Sequence, residues 1–268
     1  MKEFEMELFS LKGRNAVITG AERGIGLEIA KGFAKAGANI LIAGLMDELF
    51  PEAEAAVKAA GVQCFCVHTD ISKEDSVKAL VRKAKELFGT VDILVNNAGI
   101  NKLAPAEEMS LEIWQKIVDV NFTGTFMMCR DFGALMLAQG HGNIVNIASM
   151  SSFRPLTKTL AYSSAKSAVA NFTEWAATHF AQEYSSNIRV NAIAPGFLLT
   201  TQNYYLLKNE DGTDTARGEA IMANTPMRRY GEPQELAGAV IFLCSEAAKF
   251  ITGVVLPVDG GFNAYSGV

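Results

Sequence analysis

Asn15-Ala16-Val17-Ile18-Thr19-Gly20-Ala21-Glu22-Arg23-Gly24-Ile25-Gly26 is the stretch whose reading decides the fold. Its first five residues form an apolar, strand-length run, and the next seven carry three glycines in the spacing Gly-x-x-x-Gly-x-Gly. Beyond them Ile25, Ile29, Ala30, Phe33 and Ala34 recur at helical spacing. Strand, glycine turn and helix in that order build a phosphate-binding unit. Glycine lets backbone N–H groups approach a pyrophosphate, and the positive end of the helix favours its charge. The spacing is not Gly-x-Gly-x-x-Gly, and an isolated glycine cluster is equally a tight structural turn. Its place at a strand-to-helix junction raises the phosphate reading.

The same alternation runs outward along the chain. Short β-branched or apolar runs at 39–43, 62–67, 91–95, 142–148, 187–193 and 254–258 read as strands. Segments 73–88, 111–138 and 160–183 read as helices. Nearly all-apolar strands alternating with helices imply a parallel sheet covered on both faces. The expectation is one α/β domain, residues 1–268, with a doubly wound sheet of seven strands. Gly37, Gly61 and Gly89 stand where helix C-caps precede strands. Pro233 reads as a first-turn proline opening a helix over 234–245.

Tyr162 and Lys166 stand four residues apart, about one helical turn, so phenol and ammonium share a helix face. A nearby cation favours phenolate and can draw a tyrosine from its ordinary pKa of about 10 toward the working pH. The phenol then serves as a general acid or base. By itself Tyr-x-x-x-Lys on a solvated helix means little; Ser149, at the end of the 142–148 strand, gives it company.

Taken in order, the glycine turn, Asn96-Asn97-Ala98-Gly99, Asn121, Ser149, Tyr162, Lys166 and Pro195-Gly196 make the chain resemble the short-chain dehydrogenase/reductase family over nearly its whole length. The resemblance implies a Rossmann-type fold and an NAD(P)-dependent oxidoreductase. It implies that Tyr162 passes a proton to or from the substrate oxygen while hydride moves between substrate carbon and nicotinamide. Ser149 would hydrogen-bond that oxygen, with Ser151 and Ser152 as neighbours that solvate the loop or touch substrate. Lys166 would bias the tyrosine and bind the nicotinamide ribose, and Asn121 would kink a long helix and anchor a water relay. An asparagine inside a helix is otherwise a mild destabiliser.

For the cofactor, the resemblance brings forward Gly20, Glu22, Arg23, Gly24, Ile25 and Gly26 in the turn, then Asp70 and Ile71 after the third strand. Asn97, Ala98, Gly99, Ile147, Ile193, Pro195, Gly196 and Leu198 would line the same ligand with Tyr162 and Lys166. The second strand ends in Ala43-Gly44-Leu45-Met46-Asp47, so the usual ribose-binding acid is missing at Gly44. Arg23 could meet a 2′-phosphate by bidentate pairing. Glu22, Asp47 and Glu48 oppose such a dianion, and Asp47 could reach a ribose hydroxyl from the loop. The balance favours NAD over NADP.

Composition narrows the class further. A chain of 268 residues is long enough to bury well over half its unfolded surface, and a formal charge of −5 leaves no basic footprint for nucleic acid. No apolar run reaches the roughly eighteen residues of a membrane span. Met1-Lys2-Glu3-Phe4-Glu5-Met6-Glu7 is too acidic for a signal peptide, so a cytoplasmic protein is expected. Cys64, Cys66, Cys129 and Cys244 sit mainly in apolar runs, as reduced core thiols do, and with His68, His141 and His179 scattered no metal site is expected.

A long polar connection, 197–231, follows Pro195-Gly196 and is read as a substrate lid, with Asn209-Glu210-Asp211-Gly212 splitting two helices. Its amides and hydroxyls suit a polyhydroxylated ligand. Candidate substrate contacts are Asn101, Ser149, Ser151, Arg154, Tyr162, Phe197, Gln202 and Asn203, with Lys102 nearby. Arg154 could clamp a carboxylate at two points or be a surface or subunit contact. Phe153-Arg154-Pro155-Leu156-Thr157, Thr201-Gln202-Asn203 and the tail from Gly260 resemble the sugar-acid branch of the family: mannonate oxidoreductases, fructuronate reductases, gluconate 5-dehydrogenases and deoxygluconate dehydrogenases. A sugar acid such as fructuronate/mannonate is therefore the expected substrate. A neutral ketose or polyol, a sulfonated sugar or a 3-oxoacyl thioester remains an alternative, as does a nucleotide-sensing protein without catalysis. The family resemblance also implies a homotetramer built on the two long helices and the last strand.

Overall fold

In the computed structural model, which describes residues 6–201 and 203–267, the opening strand β1 (Asn15–Thr19) lies inside a seven-stranded sheet. The other strands are β2 (Asn39–Gly44), β3 (Cys64–His68), β4 (Ile93–Asn96), β5 (Gly142–Ile147), β6 (Ile188–Pro195) and β7 (Val255–Val258). Their spatial order is β3-β2-β1-β4-β5-β6-β7, with every pairing parallel. The expected Rossmann-type, doubly wound sheet is present. Strand ends differ from the sequence reading by one or two residues because the ladder decides them: Gly44 joins β2 by pairing with His68, and Pro195 joins β6 by pairing with Val258.

The strands are apolar throughout because each face is covered. Ile18, Ile40, Ile42, Val95 and Val145 pack with Ile29 and Phe33 of α1 (Gly24–Lys35) and with Leu236, Val240 and Leu243 of the helix Glu235–Cys244. The alternate residues Val17, Leu41, Leu94 and Ile144 face the other layer. There they meet Leu80 of the helix Glu74–Phe88, Phe132 of the helix Gly124–Gln139 and Phe180 of the helix Leu160–Glu183. Each such side chain removed from water contributes about 1.5–3 kcal/mol. In chain order the helices are α1, α2 (Phe50–Lys58), α3 (Glu74–Phe88), α4 (Leu111–Val118), α5 (Gly124–Gln139), α6 (Leu160–Glu183), α7 (Tyr204–Leu207), α8 (Ala216–Asn224) and α9 (Glu235–Cys244).

The helix expected over 111–138 is two helices, α4 and α5, joined by a π-helical turn at Asp119–Thr123. Asn121 lies in that turn and donates to the carbonyls of Ile117 at 2.9 Å and Ile100 at 2.7 Å. An inserted side chain of this kind opens the i→i−4 ladder locally. Pro233 lies in the turn before α9, outside the helix it was expected to open, and Gln234 is the cap. Segment 197–231 leaves β6, carries α7 and α8 on either side of the Asn209–Gly212 turn, and returns through a bridge from Leu198 to Gly231. None of the described helices is long and apolar enough to cross a membrane.

Candidate active site

The strand order reverses between β1 and β4, and in doubly wound sheets ligands bind outside the carboxyl ends of the strands at such a reversal. The glycine turn follows β1 at that end. Gly20 and Gly24 have φ of +62° and +58°, left-handed values that a side chain disfavours. A Cβ on Gly24 would meet nothing within 4 Å, so open space lies beside the start of α1, whose cap residue Arg23 makes no side-chain capping bond. Gly26 is the reverse case: a Cβ there would lie 2.5 Å from Asn97 Nδ2 and 2.8 Å from Ala21 Cα and would run into the Gly20 carbonyl.

Asn97 holds this turn. Its amide donates to the carbonyls of Thr19 at 2.9 Å and Gly20 at 3.1 Å, while the Thr19 hydroxyl accepts from the backbone N–H groups of Asn97 and Ala98, both at 3.0 Å. Asn97 thus braces the glycine turn through its side-chain Nδ2. Thr19 was not singled out in the sequence; its signal is a lone hydroxyl closing an apolar strand. A backbone cradle with left-handed glycines, an uncapped helix start and open space fits the pyrophosphate of a dinucleotide. Gly26→Ala is expected to cost about 1–3 kcal/mol, because the atoms it meets include backbone. A thermal melt checks this, and an unchanged Tm would show that the turn has room to spare.

At the adenosine end the expected residues divide. Asp70 Oδ1 accepts from the Ser72 N–H at 2.9 Å and the Ser72 hydroxyl at 2.7 Å, shaping the turn before α3. Asp47 is paired through Oδ1 with His68 Nδ1 at 2.8 Å on the open surface, so the reach to a ribose expected of it is taken up by that ring. Ile71 and Leu198, expected against the cofactor, are 6% and 5% exposed and belong to the two core layers, which leaves little side-chain surface for a ligand.

At the other end, Ser149 follows β5 and caps a short turn, Met150–Ser152. Its hydroxyl accepts from the Ser151 N–H at 3.1 Å and lies beside the Tyr162 phenol, whose pKa it lowers. Ser152 donates to the Lys166 carbonyl at 2.8 Å and so ties the turn to α6. Lys166 is buried; its ammonium donates to the Ile147 carbonyl at 2.6 Å and lies 5.7 Å from the centre of the Tyr162 ring. Asn121 is fully buried, and its Oδ1 has no hydrogen-bond partner among the described residues. Gly99 separates it from Lys166: a Cβ at Gly99 would be 2.7 Å from Asn121 Oδ1 and 3.6 Å from Lys166 Nζ.

Burial pushes the Tyr162 phenol above its ordinary value, and the Ser149 hydroxyl offsets part of that rise. Burial alone lowers Lys166 to about 8. The expected downward pull of the ammonium on the phenol is therefore not the leading influence. Lys166 sits over the ring with a carbonyl partner, and desolvation outweighs its field.

On the substrate side, Ser151 is buried with its hydroxyl lacking a partner among the described residues. Arg154 donates to the Asn263 carbonyl from Nε at 3.1 Å and from Nη2 at 2.9 Å, so it holds the C-terminal segment and does not point freely at a ligand. Asn203 is also occupied, donating to the Leu198 carbonyl at 2.7 Å and accepting from the Thr200 N–H at 2.8 Å. Asn101 is exposed on the loop after β4, and Phe197 meets Phe262 edge-on at 5.4 Å. Pro195 and Gly196 close β6 against the last strand, the Gly196 N–H donating to the Val258 carbonyl at 3.0 Å. Gln202 lies outside the described residues.

Residues 20–263 match the family model described as enoyl-(acyl carrier protein) reductase. The chain is 38% identical to the 2-dehydro-3-deoxy-D-gluconate 5-dehydrogenase of Bacillus subtilis (strain 168), over 96% of this chain and 97% of that protein. Its structure resembles a gluconate 5-dehydrogenase from Burkholderia cenocepacia J2315 in complex with NADP and tartrate, at TM-score 0.89 and 34% identity, covering 97% of this chain and 98% of that one. It also resembles a protein from Haemophilus influenza, provisionally named a D-mannonate oxidoreductase, with bound NAD: TM-score 0.89, 36% identity, 98% and 100% coverage. With a parallel sheet whose strand order reverses beside the glycine turn, the chain belongs to the short-chain dehydrogenase/reductase family. It is an NAD(P)-dependent oxidoreductase.

Proposed function

We propose that the protein interconverts a secondary alcohol and a ketone on a six-carbon sugar acid, with fructuronate/mannonate the first candidate pair and NAD the preferred cofactor. The observation that carries the chemistry is the Ser149 hydroxyl beside the Tyr162 phenol, with the buried Lys166 ammonium 5.7 Å from the centre of the same ring. The substrate class is supported by the relatives, whose names are those of gluconate, deoxygluconate and mannonate oxidoreductases.

In this reading the bound nicotinamide supplies or accepts the hydride. Tyr162 gives its phenolic proton to the carbonyl oxygen in reduction and takes it back in oxidation. Ser149 hydrogen-bonds the same oxygen and holds it at the phenol. Lys166, charged below about pH 8, favours the phenolate left after proton transfer. Asn121, with Oδ1 unpartnered, offers an acceptor to a water that resupplies the proton. Ser151 offers a second hydroxyl to the sugar. Segment 197–231 acts as the lid, and Arg154 reaches a carboxylate only by leaving Asn263. Phe126 and Trp175, exposed on α5 and α6, support self-association into a homotetramer through those helices.

An acyl-carrier thioester would dock on a basic surface beside the lid, and two of the arginines there, Arg228 and Arg229, are engaged within the chain. Arg228 donates to the carbonyls of Met222 and Ala223, and Arg229 pairs with both oxygens of Glu235. The test is the change in reduced-nicotinamide absorbance with NADH and NADPH, against keto sugar acids, neutral ketoses and an acyl thioester. Turnover of fructuronate or a related keto acid is expected. Turnover of the thioester alone would overturn the reading.

A further inference from the structure

β2 ends without an acid, and the fold brings one to it from elsewhere. In doubly wound dinucleotide folds, an acid about 20 residues past the glycine turn accepts from the ribose 2′-hydroxyl; here Gly44 stands at that register. Gly44 is not among the glycines with positive φ, so its missing side chain is no backbone requirement. It is a matter of space. A Cβ at Gly44 would lie 2.5 Å from Glu22 Cδ and 2.7 Å from Oε1 and would run into Oε2. The glycine turn is held against this strand by the Gly20 N–H, which donates to the Ala43 carbonyl at 2.7 Å, and that bond brings Glu22 over Gly44.

Glu22 is 8% exposed, and its Oε2 is buried with no hydrogen-bond partner among the described residues. A carboxylate oxygen left in that state is costly, and such groups are found where a donor arrives with a ligand. The terminal torsion of a glutamate is soft, so either oxygen can turn to the donor.

We propose that Glu22, carried on the glycine turn and seated on Gly44, is the acid that selects NAD over NADP. Its carboxylate accepts from an adenosine ribose hydroxyl and repels a 2′-phosphate. The inference rests on the dinucleotide site proposed above and assigns its nucleotide preference to one residue. Asp47, in the turn after the strand end, is held by His68. Arg23, on the same turn, would meet a 2′-phosphate only beside this carboxylate.

Calorimetric titration of the whole protein with NAD+ and with NADP+ tests it, on wild type, Glu22→Gln and Gly44→Ala. Wild type is expected to bind NAD+ more tightly. Glu22→Gln should reduce the NAD+/NADP+ preference by about tenfold or more, as loss of a charged hydrogen bond does. It should keep or raise Tm, since it removes an unpartnered buried charge. Gly44→Ala meets the far end of a flexible side chain, pushes the carboxylate off its seat, and should move the preference the same way with every charge retained. Equal weakening of both nucleotides in Glu22→Gln, an unmoved preference, a lowered Tm or a wild type favouring NADP+ would each overturn the assignment. A wild type that binds neither nucleotide would instead overturn the dinucleotide site itself.

Discussion

Tyr162→Phe is expected to lower kcat by about 10²–10⁴-fold while leaving the Kd for the nucleotide within a few-fold of wild type. The substitution removes one oxygen and keeps the ring, so the packing over Lys166 survives. What goes is the phenolic proton proposed to pass to or from the substrate oxygen, together with the phenol oxygen beside Ser149. Stopped-flow or steady-state turnover of the keto sugar acid, with nucleotide binding measured separately, checks both halves. Residual turnover above a tenth of wild type would mean that another group passes the proton. Parallel loss of turnover and nucleotide binding would mean that Tyr162 is structural.

Lys166→Met should alter both turnover and the pH dependence of stability. Burial lowers the folded-state value of Lys166 to about 8, whereas the unfolded chain keeps the ordinary 10.5. Between those values the unfolded state binds a proton that the folded state does not, so wild-type stability rises with pH across that window, by up to about 3 kcal/mol. Below about 8 both states hold the proton and this contribution is flat. Methionine keeps the bulk and removes the titration, so the variant should lack this rise when denaturant midpoints are compared at pH 7.5 and pH 10. Turnover near neutral pH should fall by at least about tenfold, because no cation is left to favour the phenolate. Equal pH profiles in the two proteins would show that Lys166 titrates normally.

The sheet was legible from short-range signals. Alternating apolar runs, glycines before strands and a glycine turn between strand and helix each operate within about twenty residues, and the chain cannot satisfy them in many ways. The serine, tyrosine and lysine were legible for a similar reason: one helical turn joins two of them, and a strand end delivers the third. The π turn at Asn121 was less so. It depends on the Ile100 carbonyl, which reaches the helix only after β4 is in place. Arg154 shows the limit on the substrate side, since its partner Asn263 is more than a hundred residues away and nothing local to either residue announces the pair.

By itself, then, the sequence determined the doubly wound architecture and the family, because periodicity, glycine torsions and helical spacing are local properties. Tertiary structure alone decided which side chains are already engaged and which acids stand where. Asp47 is drawn to His68, Asn203 turns inward on its own loop, and Glu22 lies over Gly44. In the linear chain Gly44 is merely a position without an acid. Only when β1 and β2 lie side by side does the space it leaves become the seat of a carboxylate from the neighbouring turn, since desolvation and van der Waals contact depend on distance in space and not along the chain.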